Sequence, residues 1–364
     1  MQPLPPGSTI GILGGGQLGR MLSLAAARLG LKCHIYNDVS GPAFDVAAAT
    51  TLGGFDDTEA LKRFAGSVDV VTYEFENVPV DAAATVEHIV PVRPGLKALQ
   101  VSQDRLEEKR FVSGLGLPVA PFAGIEGAQD FAAGERAVTL PAILKTRRLG
   151  YDGKGQARVT SVEELPAKHA EIGGAPSTLE AVVGFRCEVS VVLVRGLDGS
   201  MRFYDIPLNR HEGGILRTST VPCELPATHQ ERARAIARTL AEALDYVGVL
   251  AVEMFYTGAG DAPLIVNEFA PRVHNSGHWT LDACAVSQFE NHMRAVAGWP
   301  LGATDRHSDA EMQNLIGSDV ADWPVLATEP GACLHLYGKG AARPGRKMGH
   351  VTRIMPRSNG PRDL

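Results

Sequence analysis

Cysteine is sparse in this chain, and nothing organises it. Five residues (Cys33, Cys187, Cys223, Cys284, Cys333) are scattered over 364 positions with no CxxC pair. That excludes a disulfide frame or a zinc ribbon and leads us to expect reduced thiols and a cytoplasmic location. HExxH is absent too: His274 and His278 are four apart, but Asn275, Ser276 and Gly277 between them break any helix, so a zinc-peptidase face does not form. No apolar run approaches membrane-spanning length. The start, Met1-Gln2-Pro3-Leu4-Pro5-Pro6, lacks the basic flank and apolar core of a signal peptide. Excess positive charge is also missing, and a formal net charge of −6 argues against a general nucleic-acid or membrane partner. What remains, at 45% apolar and 21% charged residues, is an ordinary globular composition in a chain long enough for two or three cores.

The first hundred residues alternate strand and helix. Thr9–Leu13 reads as a buried strand, Gln17 to Leu29 as a helix that Gly30 ends, and Cys33–Tyr36 and Val68–Tyr73 as further strands. This order predicts a doubly wound parallel sheet. Asp104 opens a second block as a helix cap with Glu107 three residues on, and Gly114-Leu115-Gly116-Leu117-Pro118 stops that helix. Short strands and Gly-rich turns follow to about Arg186, then apolar strands at Glu188–Val194 and Val247–Phe255. The fold class is therefore α/β (α+β overall). The expected domains are 1–103, 104–300 with a smaller lid at about 117–186, and 301–364.

Gly14-Gly15-Gly16-Gln17-Leu18-Gly19 satisfies GxGxxG between a strand and a helix, and Asp38 follows at the distance of a ribose-binding acid. Taken alone, this suggests a nicotinamide or flavin dehydrogenase, or simply a tight turn in a doubly wound sheet. The rest of the chain does not support redox chemistry.

Two acids say more. Val249–Val252 and Leu264–Val266 read as strands of a hairpin with Thr257 to Pro263 as its turn. If the hairpin is centred between Gly260 and Asp261, Glu253 and Glu268 are direct cross-strand neighbours. Like charges there repel, and a divalent cation between them removes the penalty. With the amide of Asn267 they form the hard oxygen set that Mg²⁺ takes while holding phosphates. The other reading is an ion pair with a nearby arginine in a different register.

Upstream, the strand Ala142-Ile143-Leu144-Lys145 ends in one lysine. The loop Arg147 to Gln156, with Gly150, Gly153 and Gly155, offers backbone N–H groups and cations to a polyphosphate. It is not a Walker A loop, and by itself it also reads as a solvated hairpin tip. Glu180-Ala181-Val182-Val183 ends one apolar stretch and Glu188 begins another, an edge suited to an adenine and ribose hydroxyls, although acids at strand ends are common.

In this order the pieces resemble the ATP-grasp superfamily, and within it the N5-carboxyaminoimidazole ribonucleotide synthetase family. The resemblance spans about Ile10 to Val351 and rests on GGGQLGRM (Gly14 to Met21), TYEFENV (Thr72 to Val78), GYDGKGQ (Gly150 to Gln156), NEFAPRVHNSGHWT (Asn267 to Thr280) and RPGRKMGH (Arg343 to His350). It implies an ATP-grasp fold behind an N-terminal doubly wound domain. It also implies carboxylation of 5-aminoimidazole ribonucleotide by bicarbonate and ATP through carboxyphosphate, with no nucleic-acid or membrane partner and a homodimeric assembly. By that resemblance Glu253, Glu268 and Asn267 hold Mg²⁺. The nucleotide is met by Arg105, Lys145, Gly150, Tyr151, Asp152, Gly153, Lys154, Gly155, Gln156, Glu180, Ala181, Val182, Val183, Glu188, His211, Asn267 and Glu268. Arg272, His274, Asn275 and Asp152 serve the chemistry, Arg272 offering a bidentate fork for bicarbonate. Gln17, Leu18, Glu76, Asn275, Lys339, Arg346 and Lys347 receive the ribonucleotide, the late cations its phosphate. The short polar tail that remains, Arg357 to Leu364, implies by the same resemblance a smaller last block, or one that a partner subunit covers.

The nearest alternative is the formate-dependent glycinamide ribonucleotide transformylase, which shares the metal acids and late cations but differs around His274 to Trp279. Biotin carboxylase is a poorer match at this length. A non-catalytic nucleotide-binding module fits badly with a full set of metal acids and phosphate cations.

Overall fold

The computed structural model describes residues 2–150, 153–258, 260 and 262–358. β1 (Thr9–Leu13), β2 (Lys32–Asn37), β3 (Ala49–Leu52) and β4 (Val70–Tyr73) form a parallel sheet in the order β3-β2-β1-β4. Ile10, Ile12, Leu13, Val70, Val71 and Tyr73 are all buried, as a sheet covered on both faces requires. α1 (Gln17–Arg28), α2 (Thr58–Ala65) and α3 (Val80–Glu87) complete the block. Gly11 explains one tight contact: a Cβ there would lie 2.7 Å from the Phe64 ring.

After α4 (Leu96–Ser102), α5 runs from Arg105 to Gly114. Asp104 caps it, accepting from Leu106 N at 3.0 Å and Glu107 N at 3.3 Å. Glu107 turns instead to Arg110, so the cap lacks the reciprocal half of a capping box. β5 (Phe122–Ile125), β6 (Ala142–Thr146), β7 (Gln156–Val159) and β8 (Ser177–Ala181) make an antiparallel sheet in the order β5-β8-β6-β7. Its own small core includes Ile125, Leu144, Val159 and Leu179.

The remaining strands are β9 (Cys187–Arg195), β10 (Met201–Phe203), β11 (Leu208–Glu212), β12 (Ile215–Val221), β13 (Gly248–Tyr256), β14 (Leu264–Ala270), β15 (Asp309–Ile316), β16 (Ala332–Leu336) and β17 (Lys347–Met355). They share one sheet, ordered β14-β13-β9-β11-β12-β15-β17-β16, with β10 beside β9. The strands after residue 300 thus extend the central sheet through the β12–β15 pairing. β14 ends the sheet on the side facing α5.

Candidate active site

Glu253 and Glu268 are Cα partners across β13 and β14. The route to that pairing differs from the simple hairpin. Met254, Phe255 and Tyr256 pair with Val266, Ile265 and Leu264, which centres the turn on Gly260. One extra residue, Asn267, is then inserted as a bulge, and the register recovers at Glu253–Glu268. A bulge breaks strict alternation and re-aims side chains, and both Asn267 and Glu268 line the central cavity together with Glu253.

Each acid has a hydrogen-bond donor beside it. Glu253 Oε1 lies 2.9 Å from His274 Nε2, and Glu268 Oε2 lies 2.8 Å from Arg105 Nη1. Burial alone would raise the Glu268 carboxyl, but the adjoining Arg105, with Lys145 and Lys109 behind it, holds it below the usual carboxylate range. Two facing carboxylates and an amide oxygen are a donor set that fits a hard divalent cation. Among the described residues one trio of acid and imidazole groups elsewhere, Asp282, His335 and His350, brings donor atoms within 4.8 Å of one another. Its two imidazoles are stacked 11° from parallel, so their nitrogens do not converge on one ion.

The cavity, about 680 Å³, is walled by all three blocks. Arg105, Lys145, Gly150, Gly153, Gln156, Glu188, His211, Asn267 and Glu268 line one end of it, and Phe185 and Phe255 stack there with centroids 4.8 Å apart. Arg105 Nη2 donates to the Gly150 carbonyl at 3.1 Å, drawing the glycine loop toward the acids. His211 Nδ1 is 2.9 Å from Glu188 Oε2. Burial would lower its pKa, but the carboxylate outweighs burial and raises it. Tyr151 and Asp152 lie outside the described residues. Lys154, Gly155, Glu180, Ala181, Val182 and Val183 are not part of the wall. Glu180 is buried behind it, with Oε2 3.0 Å from Lys145 Nζ and 3.2 Å from Lys109 Nζ.

At the other end stand Gln17, Leu18, Glu76, Arg272, His274, Asn275, His278, Tyr337 and Lys347. Arg272 grips Glu76 through Nε and Nη2, a pair that outweighs burial and keeps Glu76 ionised. His274 Nδ1 accepts from Ser276 N at 3.3 Å, which leaves Nε2 as the N–H facing Glu253. Asn275 and Asn314 exchange amide hydrogen bonds at 3.0 and 2.7 Å. Lys339 and Arg346 stand off this wall: Lys339 donates to the Lys347 carbonyl at 2.8 Å and Arg346 to the Ala341 carbonyl at 3.1 Å.

The GxGxxG turn has a resident anion of its own. Glu74, in the turn after β4, accepts from Gly16 N and, at 2.6 Å, from Gly19 N. A carboxylate therefore occupies the helix N-terminus where a dinucleotide would put its pyrophosphate. Asp38 is exposed and off the cavity wall. Nothing in the motif TYEFENV signals this role for Glu74. For Glu108 and Lys109 the only signal in the sequence is their spacing from Arg105 on one helix. Burial and Glu268 push the Glu108 carboxyl up to about 8.

The chain is similar to known proteins over most of its length. A model of the ribonucleotide synthetase preATP-grasp domain matches residues 8–103, the ATP-grasp domain model matches 110–289, and the phosphoribosylaminoimidazole carboxylase C-terminal domain model matches 310–359. The chain is 52% identical over 358 residues to the N5-carboxyaminoimidazole ribonucleotide synthase of Brucella melitensis, with 98% of each covered. The solved N5-carboxyaminoimidazole ribonucleotide synthetase of Thermus thermophilus superposes with a TM-score of 0.87 at 48% identity, over 95% of this chain and 93% of that one. The Aspergillus clavatus N5-carboxyaminoimidazole synthase, solved with ADP and 5-aminoimidazole ribonucleotide, gives a TM-score of 0.89 at 30% identity, over 96% and 94%. The chain belongs to the N5-carboxyaminoimidazole ribonucleotide synthase family of ATP-grasp ligases.

Proposed function

We propose that this chain uses ATP and bicarbonate to carboxylate the amine of 5-aminoimidazole ribonucleotide, giving N5-carboxyaminoimidazole ribonucleotide for purine biosynthesis. The observation that carries the reading is Arg272. From just beyond β14 it reaches Glu76 of the N-terminal block, which supports a place for it between the proposed nucleotide and ribonucleotide sites.

Arg105 and Lys145 neutralise and orient the triphosphate, with Gly150, Gly153 and Gln156 of the glycine loop beside it. Glu253, Glu268 and Asn267 would hold Mg²⁺, which when bound supplies further charge neutralisation on the phosphates. A bicarbonate oxygen attacks the γ-phosphorus, the bond to the β-phosphate oxygen breaks, and ADP leaves. Arg272 presents a planar fork to the carboxylate of the resulting carboxyphosphate, with His274 and Asn275 at the same end. The ribonucleotide amine then attacks the carbonyl carbon, inorganic phosphate leaves, and the nitrogen loses a proton. Gln17, Leu18 and Glu76 meet the ribonucleotide, and Lys347 is the cation best placed for its phosphate. Keeping water out of the cavity protects the mixed anhydride from hydrolysis. The active species is expected to be a cytoplasmic homodimer, which sedimentation of the purified chain tests.

The deciding assay is ADP release with ATP and Mg²⁺, adding bicarbonate and 5-aminoimidazole ribonucleotide separately and together. Turnover that needs the ribonucleotide, with labelled bicarbonate carbon entering an acid-labile product, is expected. Dependence on formate and glycinamide ribonucleotide would move the chain to the transformylase reading.

A further inference from the structure

The bulge that presents the metal acids is braced from outside the sheet. β14 is the edge strand, so backbone groups turned away from β13 need partners elsewhere. Val266 N–H finds the Pro118 carbonyl at 2.8 Å. The next two come from consecutive side chains of α5: Lys109 Nζ donates to the Asn267 carbonyl at 2.6 Å, and Glu108 Oε1 accepts from Phe269 N at 2.6 Å. One turn earlier on the same face, Arg105 holds the Glu268 carboxylate itself. Residues 105, 108 and 109 share a helix face by their spacing, and they meet residues 267, 268 and 269 one for one. Glu108 and Lys109 are each only 3% exposed. Burying such groups is costly unless they are hydrogen-bonded, and here each bonds one of the two peptide groups flanking Glu268, Lys109 also pairing with Glu180.

We infer that Glu108 and Lys109 are positioning residues that hold the β14 bulge in the shape presenting Asn267 and Glu268 to a divalent cation. This rests on the reading that those residues bind one. α5 thereby acts as a template: Glu108, at the cavity wall, and Lys109 set the direction of the ligands through the β14 backbone. Loss of such supporting contacts lowers metal affinity by roughly tenfold to a hundredfold in metalloproteins generally.

The test titrates Mn²⁺ into the intact chain in the presence of ADP, following free Mn²⁺ by electron paramagnetic resonance. Thermal melting without metal runs in parallel. Glu268→Gln checks the underlying reading; Glu108→Leu, Lys109→Met and Glu108→Gln check the brace. We expect Glu268→Gln to weaken Mn²⁺ binding strongly, and Glu108→Leu and Lys109→Met to weaken it roughly tenfold or more. Glu108→Gln, whose amide oxygen still accepts from Phe269 N, should stay within about twofold of the parent. Unchanged Mn²⁺ affinity in Glu268→Gln overturns the metal reading and the brace with it. A strong loss in Glu268→Gln, with parental affinity in both Glu108→Leu and Lys109→Met, overturns the brace alone. If Glu108→Leu does not fold, Lys109→Met decides, and a lowered melting point with parental Mn²⁺ affinity counts against the inference.

Discussion

Arg272 and Glu76 are 196 positions apart in sequence and form a two-point ion pair, with Nη2 donating to Oε1 at 3.0 Å and Nε to Oε2. The pair ties the end of β14 to the turn after β4, so the group proposed to bind bicarbonate is held by the domain proposed to bind the ribonucleotide. Lysine has one compact cation and no fork. Arg272→Lys should therefore lower kcat for carboxylation by roughly a hundredfold while the Kd for ADP changes by less than about threefold. Equal losses in both, measured by steady-state kinetics and ADP titration, would remove Arg272 from the chemistry.

The late cations are not equivalent. Lys347 lines the cavity, whereas Arg346 hydrogen-bonds to the Ala341 carbonyl within its own loop. Lys347→Ala should raise the KM for the ribonucleotide by about tenfold, the loss of one charge-assisted bond, and Arg346→Ala by clearly less. The KM for ATP should stay nearly constant in both. An Arg346→Ala effect equal to that of Lys347→Ala would restore the wider cation cluster implied by the family resemblance.

Gly16 has no room for a side chain. A Cβ there would sit 2.5 Å from Glu74 Oε1, in the carboxylate that caps the first turn of α1. Gly16→Ala should cost about 1–3 kcal/mol of stability through forced displacement and raise the KM for the ribonucleotide, because Gln17 and Leu18 follow directly. Urea unfolding and steady-state kinetics check the two effects. Parental values for both would show that the Glu74 contact is dispensable.

Stability on the acid side depends on His292. Its Nδ1 accepts from Val249 N at 3.1 Å, and its Nε2 lies 2.9 Å from Thr72 Oγ1, so the ring is built in neutral, and burial lowers its pKa to about 3. An unfolded histidine titrates near 6.5, so below that pH the unfolded chain binds the extra proton. The contribution is therefore fully present above about pH 6.5 and is lost as pH falls toward 3, at about 1.4 kcal/mol per pH unit. Between pH 7.5 and 5 the parent should lose about 2 kcal/mol more than His292→Gln in urea unfolding. The same pH dependence in both proteins would show that His292 is not the titrating group.

Much of the local structure was legible from residue pattern. The Leu- and Ala-rich run predicts α1, observed from Gln17 to Arg28, and Asp104 caps α5. The facing of Glu253 and Glu268 was also readable, although the bulge that restores it was not. A bulge depends on what covers the strand's outer edge, here Glu108 and Lys109 of a helix some 160 positions away, and periodicity within β14 carries no trace of that. The dehydrogenase suggestion of GxGxxG failed for a similar reason: the motif specifies a turn with free N–H groups, and only the return of β4 beside it delivers Glu74 to fill them.

The sequence by itself determined which chemical groups exist and in what order: the acids, the lysine at the end of β6, the glycine loop, the arginine after the metal strand. Those follow from local propensity and from the donor chemistry of the residues. Tertiary structure decided which of them share a cavity. It turned Glu180 onto two lysines, left Lys339 and Arg346 off the wall, and brought Arg272 to Glu76. The reason is physical: contacts between distant positions are fixed by packing of whole elements, and short-range patterning constrains only neighbours on the same helix or strand.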